Sequence, residues 1–132
     1  MLITDLPHRG TDAWGSGEFG SRRGDHKHRG IDYACYPGTQ IGSIVDGEVT
    51  KVGYCYNDDL LYRYVQVTDW HSKQHRILYI YPSVTKGQMV NKGDIIGAAQ
   101  DIAKRYTRPD KIMFNHIHYE VLVNGQPENP EL

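Results

Sequence analysis

The sequence has little of several features that mark particular classes of protein. It contains only two cysteines, Cys35 and Cys55, and their spacing matches neither a Cys-x-x-C metal site nor a redox motif. It has no long apolar run, and the mean hydropathy is −0.61, which excludes a membrane-spanning helix. Acidic and basic side chains nearly balance at a net charge of −1, so there is no electrostatic case for binding nucleic acid.

The N-terminal ten residues lack the basic start and apolar core of a signal peptide, so we expect either a chain made in the cytoplasm without secretion machinery or a fragment whose leader has been removed. Its 132 residues suit one domain, 1–132, with a loop-rich lead-in over 1–24 and a tail over 124–132. The 14 glycines and 10 tyrosines favour many tight turns and partly hydrated aromatic surfaces. The two cysteines could form a disulfide or stay free, and their positions do not decide between the two.

Short apolar stretches separated by turn residues predict a mostly β protein. The predicted strands are 31–35, 41–45, 48–54, 61–68, 76–81, 95–98 and 114–123. Asp46-Gly47 predicts a hairpin between the second and third of these strands, and 101–106 is the one convincing helical stretch. This pattern favours an antiparallel sheet folded into a sandwich or a partly open barrel, with one or two short helices.

Two histidine motifs stand far apart in the chain. His28 and Asp32 are four residues apart with Gly30 between them, and His116 and His118 are two residues apart. Side chains alternate along a strand, so each pair shares one face, and Gly30 would leave open space on its face. Imidazole and carboxylate are ready zinc ligands, and three of them with an open position form a catalytic site. Two such strands side by side would converge three or four ligands on one point.

The alternative is a metal-free β domain whose histidines line a sheet. A histidine pair at alternate positions is common, and the other histidines lie in polar, turn-like surroundings where a hydrated imidazole is the default. These are His8, His26, His71 and His75. The combination of the two motifs is what favours a metal site.

The ordered motifs resemble those of the lysostaphin-type (LytM-like) zinc metallopeptidases, which cut peptide cross-links of bacterial peptidoglycan. The resemblance covers roughly 17–123, and each piece is weak alone while their order is specific. The pieces are Glu18-Phe19-Gly20-Ser21-Arg22, His28-Arg29-Gly30-Ile31-Asp32, Pro37-Gly38-Thr39, Asp46-Gly47-Glu48-Val49, Lys92-Gly93-Asp94-Ile95-Ile96-Gly97 and His116-Ile117-His118-Tyr119-Glu120-Val121.

The resemblance implies one zinc ion held by His28, Asp32 and His118, with His116 beside it as a catalytic base or transition-state stabiliser. Family members carry a second catalytic histidine in a Tyr-x-His segment, and Tyr81 stands at that histidine's place here. A phenol donates hydrogen bonds, but its pKa near 10 makes it a poor base at pH 7. Tyr81 is therefore predicted to donate to the oxyanion.

Further expectations concern the substrate and an inactive alternative. Arg22 and Tyr79 are candidates for contact with a peptidoglycan stem or bridge peptide. A compact chain without a leader suits a phage-encoded lysin or virion-associated protein that reaches the wall after lysis. The Tyr-Ile-x-Pro segment and Cys35 also resemble the leukocyte cell-derived chemotaxin branch. The leading expectation is a zinc endopeptidase. Tyr81 and this second resemblance motivate the alternative, a catalytically silent zinc module that binds a wall peptide, receptor or virion partner. His75 has the same strand parity as Tyr81 and is the candidate to compensate for the missing histidine.

Overall fold

The structure is a computed structural model that describes residues 2–12, 14–23 and 26–131, with the backbone alone for residues 22, 23 and 26. Fourteen strands and two short helices are present in these residues. The strands are β1 Thr11–Asp12, β2 Gly15–Ser16, β3 Arg22–Arg23, β4 His26–Lys27, β5 Ile31–Ala34, β6 Gln40–Gly42, β7 Gly47–Tyr54, β8 Arg63–Asp69, β9 Gln74–Leu78, β10 Ile80–Pro82, β11 Met89–Val90, β12 Ile95–Ala99, β13 His116–Val123 and β14 Gln126–Glu128. The helices are a 3-10 turn, Ile3–Asp5, and α1, Ala103–Tyr106. No helix within the described residues has the length and apolar character to cross a bilayer.

Two antiparallel sheets carry the core. The large sheet runs β11-β7-β8-β9-β13-β14, and β5 pairs with the first half of β13 on the edge that β14 shares. The small sheet runs β10-β12-β6. Neither sheet closes into a barrel, and the expected mostly β, antiparallel fold is confirmed. Alternate side chains of both sheets are buried together, namely Ile41, Ile80 and Ile96 from the small sheet and Val49, Val65, Ile77 and Ile117 from the large one.

The predicted hairpin at Asp46-Gly47 is wrong. β6 pairs with β12 in the small sheet, whereas β7 pairs with β8 and β11 in the large sheet. Gly47 is required for a different reason, because a Cβ there would overlap the backbone carbonyl oxygen of Thr68 on β8. The Asp46 carboxylate accepts the backbone N–H of Lys92 at 2.6 Å. Gly47 therefore permits the close approach of β7 to β8, and Asp46 binds the loop at Lys92. The polypeptide passes from the small sheet to the large sheet between β6 and β7.

The predicted strand over 76–81 is interrupted at Tyr79, whose φ is +70°. β9 ends one residue earlier in the large sheet, and β10 begins one residue later in the small sheet. A residue in the left-handed region breaks the two-residue alternation of side chains. Strand parity therefore cannot be carried from β9 to Tyr81.

The C-terminal segment is tied to the N-terminal segment, although 124–132 was expected to be a tail. β14 pairs with the end of β13, and beyond it Glu131 accepts hydrogen bonds from Tyr33 at 2.8 Å and from His8 Nε2 at 2.9 Å. The other ring nitrogen of His8 lies 2.7 Å from a Glu18 carboxylate oxygen. Hydrogen bonds to these two carboxylates raise the pKa of His8 above its ordinary value of 6.5.

Candidate active site

The centre of the site is built by β5 and β13. These strands are antiparallel neighbours, and their register places Asp32 directly opposite His118. Both side chains therefore lie on one face of the sheet, with His116 two residues before His118 on the same face. Asp32 is 2% exposed and His118 is 7% exposed. The predicted convergence of distant strands thus occurs in a buried environment.

His28 reaches the same point from outside the strand, because β5 begins only at Ile31. Its backbone N–H donates to the Ser21 carbonyl at 2.7 Å, and its ring Nδ1 donates to the Glu18 carbonyl at 3.1 Å. Gly30 does not leave open space as predicted. A Cβ there would overlap the Tyr119 carbonyl oxygen and lie 3.0 Å from His118 Nε2, so glycine permits close contact with β13.

Three potential ligand atoms form a small triangle. His28 Nε2 lies 3.0 Å from His118 Nδ1 and 3.3 Å from Asp32 Oδ1, and the last two atoms are 2.9 Å apart. Ligands at about 2.0–2.1 Å from a tetrahedral zinc ion are separated by about 3.3 Å. These three residues could hold a metal ion with only small adjustments.

The protonation pattern also fits a cation. His28 Nδ1 donates to a carbonyl and His118 Nε2 lies 2.8 Å from Glu120 Oε1, so two rings without an additional proton would direct lone pairs at one another and at Asp32. Only a cation or an additional proton relieves this convergence of electron pairs. Burial lowers the pKa of His118, but its hydrogen bonds to Asp32 and Glu120 outweigh burial and raise it to about 9. A metal ion bound by these residues would take the place of this proton on His118.

The second oxygen of Asp32 is bound by a buried arginine that the sequence did not single out. Arg9 Nη1 donates to Asp32 Oδ2 at 3.0 Å, and its Nη2 donates to Asp12 Oδ1 at 3.3 Å. Burial alone would raise the pKa of Asp32, but hydrogen bonds from His118 and His28 lower it further, so the carboxyl is ionised. In sequence Arg9 and Asp12 are a charged pair in a loop, and nothing distinguishes them from hydrated charges. Only the fold shows that their side chains are buried.

Glu120 was also missed, although the sequence carried a signal for it. It follows His118 by two residues, so strand alternation places it on the same face as both histidines of His-x-His-x-Glu. It is 6% exposed and positions His118 through the 2.8 Å contact. Carboxylate partners of this kind fix the orientation of metal-binding imidazoles.

His116 stands beside the triangle with a free acceptor nitrogen. Its Nδ1 donates to the Phe114 carbonyl at 2.8 Å, which leaves the Nε2 lone pair facing the site, 3.5 Å from Asp32 Oδ2. Burial lowers the pKa of His116, so the ring is neutral at pH 7. A neutral imidazole with one bonded nitrogen and one available nitrogen can accept a proton.

A cavity of about 380 Å³ opens over these residues, a volume typical of ligand pockets. Trp14, Tyr79 and Tyr106 contribute aromatic walls, and Lys27 and Arg29 contribute positive charge. This lining suits a peptide with apolar and acidic groups.

The other predicted site residues are distributed differently. Tyr79 lines the cavity, as a substrate contact would. Tyr81 does not line it and is 62% exposed, so the structure does not bring Tyr81 beside the triangle, and its role as an oxyanion donor stays a prediction from the sequence. His75 cannot replace it, because it is buried elsewhere and bonded to Asp69 at 2.9 Å. The side chain of Arg22 lies outside the described residues, and its role stays a prediction.

Neither cysteine takes part in the site. Cys35 and Cys55 are both free thiols, and burial raises the pKa of each to about 11. The Cys55 thiol donates to the Arg63 carbonyl at 3.2 Å. The thiols are therefore protonated at neutral pH and are not metal ligands in this arrangement.

The chain is similar in sequence and in fold to several known peptidases. Peptidoglycan DD-endopeptidase ShyC of Vibrio cholerae is 36% identical over 107 residues, covering 78% of this chain and 22% of that protein. A zinc containing peptidase from Vibrio cholerae is 27% identical with a TM-score of 0.64, covering 86% of this chain and 34% of the other. The catalytic domain of lysostaphin from Staphylococcus simulans is 15% identical with a TM-score of 0.69, covering 98% of this chain and 92% of the other. The lysostaphin domain therefore shares the fold of this chain.

The chain spans about a fifth of the length of the curated relatives it matches. The relatives described above are bacterial peptidases, and the expected similarity to the chemotaxin branch is not borne out. Residues 26–130, which include every residue of the metal-binding triangle, match the model of Peptidase family M23. The chain therefore belongs to peptidase family M23.

Proposed function

We propose that the protein is a zinc-dependent endopeptidase that hydrolyses peptide cross-links of bacterial peptidoglycan. The observation that carries the proposal is the triangle of His28, Asp32 and His118, whose lone pairs converge at distances suited to zinc. The neutral His116 beside it supplies a proton acceptor. Membership of family M23 and the DD-endopeptidase ShyC among the relatives support a peptidoglycan substrate.

The residues of the site have separate roles in metal binding, proton transfer and substrate binding. His28, Asp32 and His118 would hold the zinc ion, which when bound lowers the pKa of water to about 7 and polarises a carbonyl group. His116 Nε2 accepts a proton from the attacking water and returns it to the amide nitrogen as the C–N bond breaks. Lys27 and Arg29 at the cavity favour binding of acidic peptide stems.

The direct test is incubation of zinc-loaded protein with purified sacculi and measurement of new amino groups. Loss of the general base in His116→Ala should reduce their release at least about 100-fold. His71→Ala is the matched control, since His71 is exposed in the turn between β8 and β9, and it should retain the wild-type rate. Wild-type release no greater than that of His116→Ala contradicts the proposal.

A second candidate function is a module that binds a wall peptide, receptor or virion partner without cutting it. Among the described residues of the cavity, His116 is the only histidine beyond the metal-binding triangle. A family site that normally uses two catalytic histidines is therefore short of one. Saturable sedimentation with sacculi and no release of amino groups would favour this module over the enzyme.

The place of action follows from the substrate. A peptidoglycan endopeptidase acts on the cell wall, whichever route brings it there. The phage-encoded or virion-associated setting receives no support from the relatives described above, and it stays a prediction from the sequence.

A further inference from the structure

Tyr79 occupies a strained position between the two sheets. Its φ of +70° is uncommon for a large side chain, and such outliers concentrate at functional sites. Two backbone hydrogen bonds hold this conformation, since its N–H donates to Arg63 at 2.9 Å and its carbonyl accepts from Gln100 at 2.8 Å. The left-handed turn points the side chain into the cavity.

Neighbouring rings fix the orientation of Tyr79. Its ring meets His116 edge to face, with centroids 5.6 Å apart and planes at 84°. It meets Tyr62 edge to face at 6.4 Å and stacks on Tyr56 at 6.4 Å. The ring of Tyr79 is thus held next to the neutral His116.

Contacts among the hydroxyl groups of Tyr106, Tyr56 and Tyr79 determine in which direction Tyr79 can donate its proton. Tyr56 donates its only hydroxyl proton to the Tyr79 oxygen at 3.4 Å, so the 2.6 Å contact between Tyr56 and Tyr106 must use the Tyr106 proton. Arg105 holds these hydroxyl groups in place. Its guanidinium carbon lies 4.1 Å from the centroid of the Tyr56 ring, and its Nη1 lies 2.6 Å from Asp59 Oδ2.

This series of hydroxyl groups therefore ends at the cavity, with the Tyr79 O–H as a hydrogen-bond donor. Among the described residues the Tyr79 O–H has no hydrogen-bond acceptor, although its oxygen accepts from Tyr56. Burial raises the pKa of Tyr79 well above its usual range, so the phenol keeps its proton at neutral pH. A neutral, oriented O–H beside a proton acceptor is the arrangement needed to stabilise a developing negative charge.

We propose that Tyr79 donates a hydrogen bond to the carbonyl oxygen of the scissile peptide as that oxygen becomes negatively charged. This inference rests on the proposed hydrolase function. Water oxygen bonds to the carbonyl carbon, the C=O pair moves to oxygen, and one water proton passes to His116 Nε2. Return of that pair re-forms C=O and expels the amine, which takes the proton from His116, while Tyr79 keeps its own proton throughout.

Tyr79→Phe is the decisive variant, because it removes the hydroxyl and keeps the ring packing. With purified cross-linked muropeptide dimers as substrate, kcat should fall about 100- to 1,000-fold while KM stays within about threefold. Zinc content should stay at one ion per chain. Tyr36→Phe is the matched control and should retain the wild-type kcat, since Tyr36 is 87% exposed and does not line the cavity.

Binding of inorganic phosphate, a tetrahedral anion, gives a readout that does not depend on turnover. Titration calorimetry on the zinc-loaded protein should show Kd rising at least about tenfold in Tyr79→Phe, the loss of about one charge-assisted hydrogen bond. Should Tyr79→Phe fail to fold, Tyr56→Phe leaves the cavity wall intact and should raise the phosphate Kd about threefold by removing the donor that orients Tyr79.

The outcomes separate the two proposals. An active wild type whose kcat and phosphate Kd are unchanged in Tyr79→Phe overturns the role of Tyr79, as does a kcat loss explained by lost zinc. An unchanged phosphate Kd in Tyr56→Phe also overturns it if that variant has to be used. A wild type that never hydrolyses the dimers, yet binds phosphate more tightly than Tyr79→Phe, refutes the hydrolase and supports Tyr79 as the anion donor.

Discussion

Replacing Arg9 with methionine should strongly destabilise the metal-free protein. Arg9 lies between the carboxylates of Asp32 and Asp12, and all three side chains are at most 3% exposed. At 3.0 Å and an effective dielectric constant of 20, the attraction between Arg9 and Asp32 is about 5.5 kcal/mol. Removing one partner of a buried ion pair costs about 3–5 kcal/mol, a large share of a typical 5–15 kcal/mol stability.

Urea unfolding followed by circular dichroism at pH 7, with a chelator present, measures this loss. Arg29→Met is the control, since Arg29 is exposed at the cavity and should change the free energy of unfolding by about 0.5 kcal/mol or less. Zinc should reduce the deficit of Arg9→Met, because a bound cation neutralises Asp32 in place of the guanidinium. A loss below about 1 kcal/mol without metal, or a deficit that zinc leaves unchanged, refutes the assignment of Arg9 as the charge partner of Asp32.

Two further predictions concern side chains that hold histidines. Glu120→Gln should weaken zinc binding about 10- to 100-fold by replacing the charged partner of His118, and chelator competition should show no such change for the exposed Glu128→Gln. The two carboxylates that flank His8 raise its pKa above 6.5, so their stabilisation is complete below pH 6.5 and is lost as pH rises through the folded value. Wild type should therefore exceed His8→Gln in free energy of unfolding at pH 6 and lose that advantage by pH 9, whereas a constant difference, or the same profile in the exposed His71→Gln, would contradict this linkage.

Local patterns were informative wherever one strand's alternation decided the outcome. The β13 segment reads His-x-His-x-Glu, and strand parity places all three polar side chains on one face. The same alternation is enough to identify Glu120 from the sequence alone. The long strands β7, β8 and β13 were also found within a few residues, because their apolar residues repeat at strand spacing.

Predictions failed where the chain passes between sheets. Asp46-Gly47 has the composition of a hairpin turn, but its neighbours pair with different sheets, and Gly47 is needed for contact with β8. Tyr81 was assigned to the site by resemblance to the family's Tyr-x-His segment, and its shared parity with His75 was counted along one continuous strand. The left-handed backbone at Tyr79 breaks the alternation of side chains, and Tyr79 lines the cavity in place of Tyr81. Residue types alone reveal neither the sheet change nor the backbone angle.

The sequence by itself determined the chemistry that the protein can offer, because ligand types and their spacing along single strands are local properties. It supplied the imidazoles and the carboxylate, the β architecture and the family motifs. Only the tertiary structure decided which groups meet, since contacts between residues 9 and 32, 32 and 118, or 79 and 116 depend on how strands pair and where the backbone turns. Burial then sets the charge of each group, and burial is a property of the whole fold.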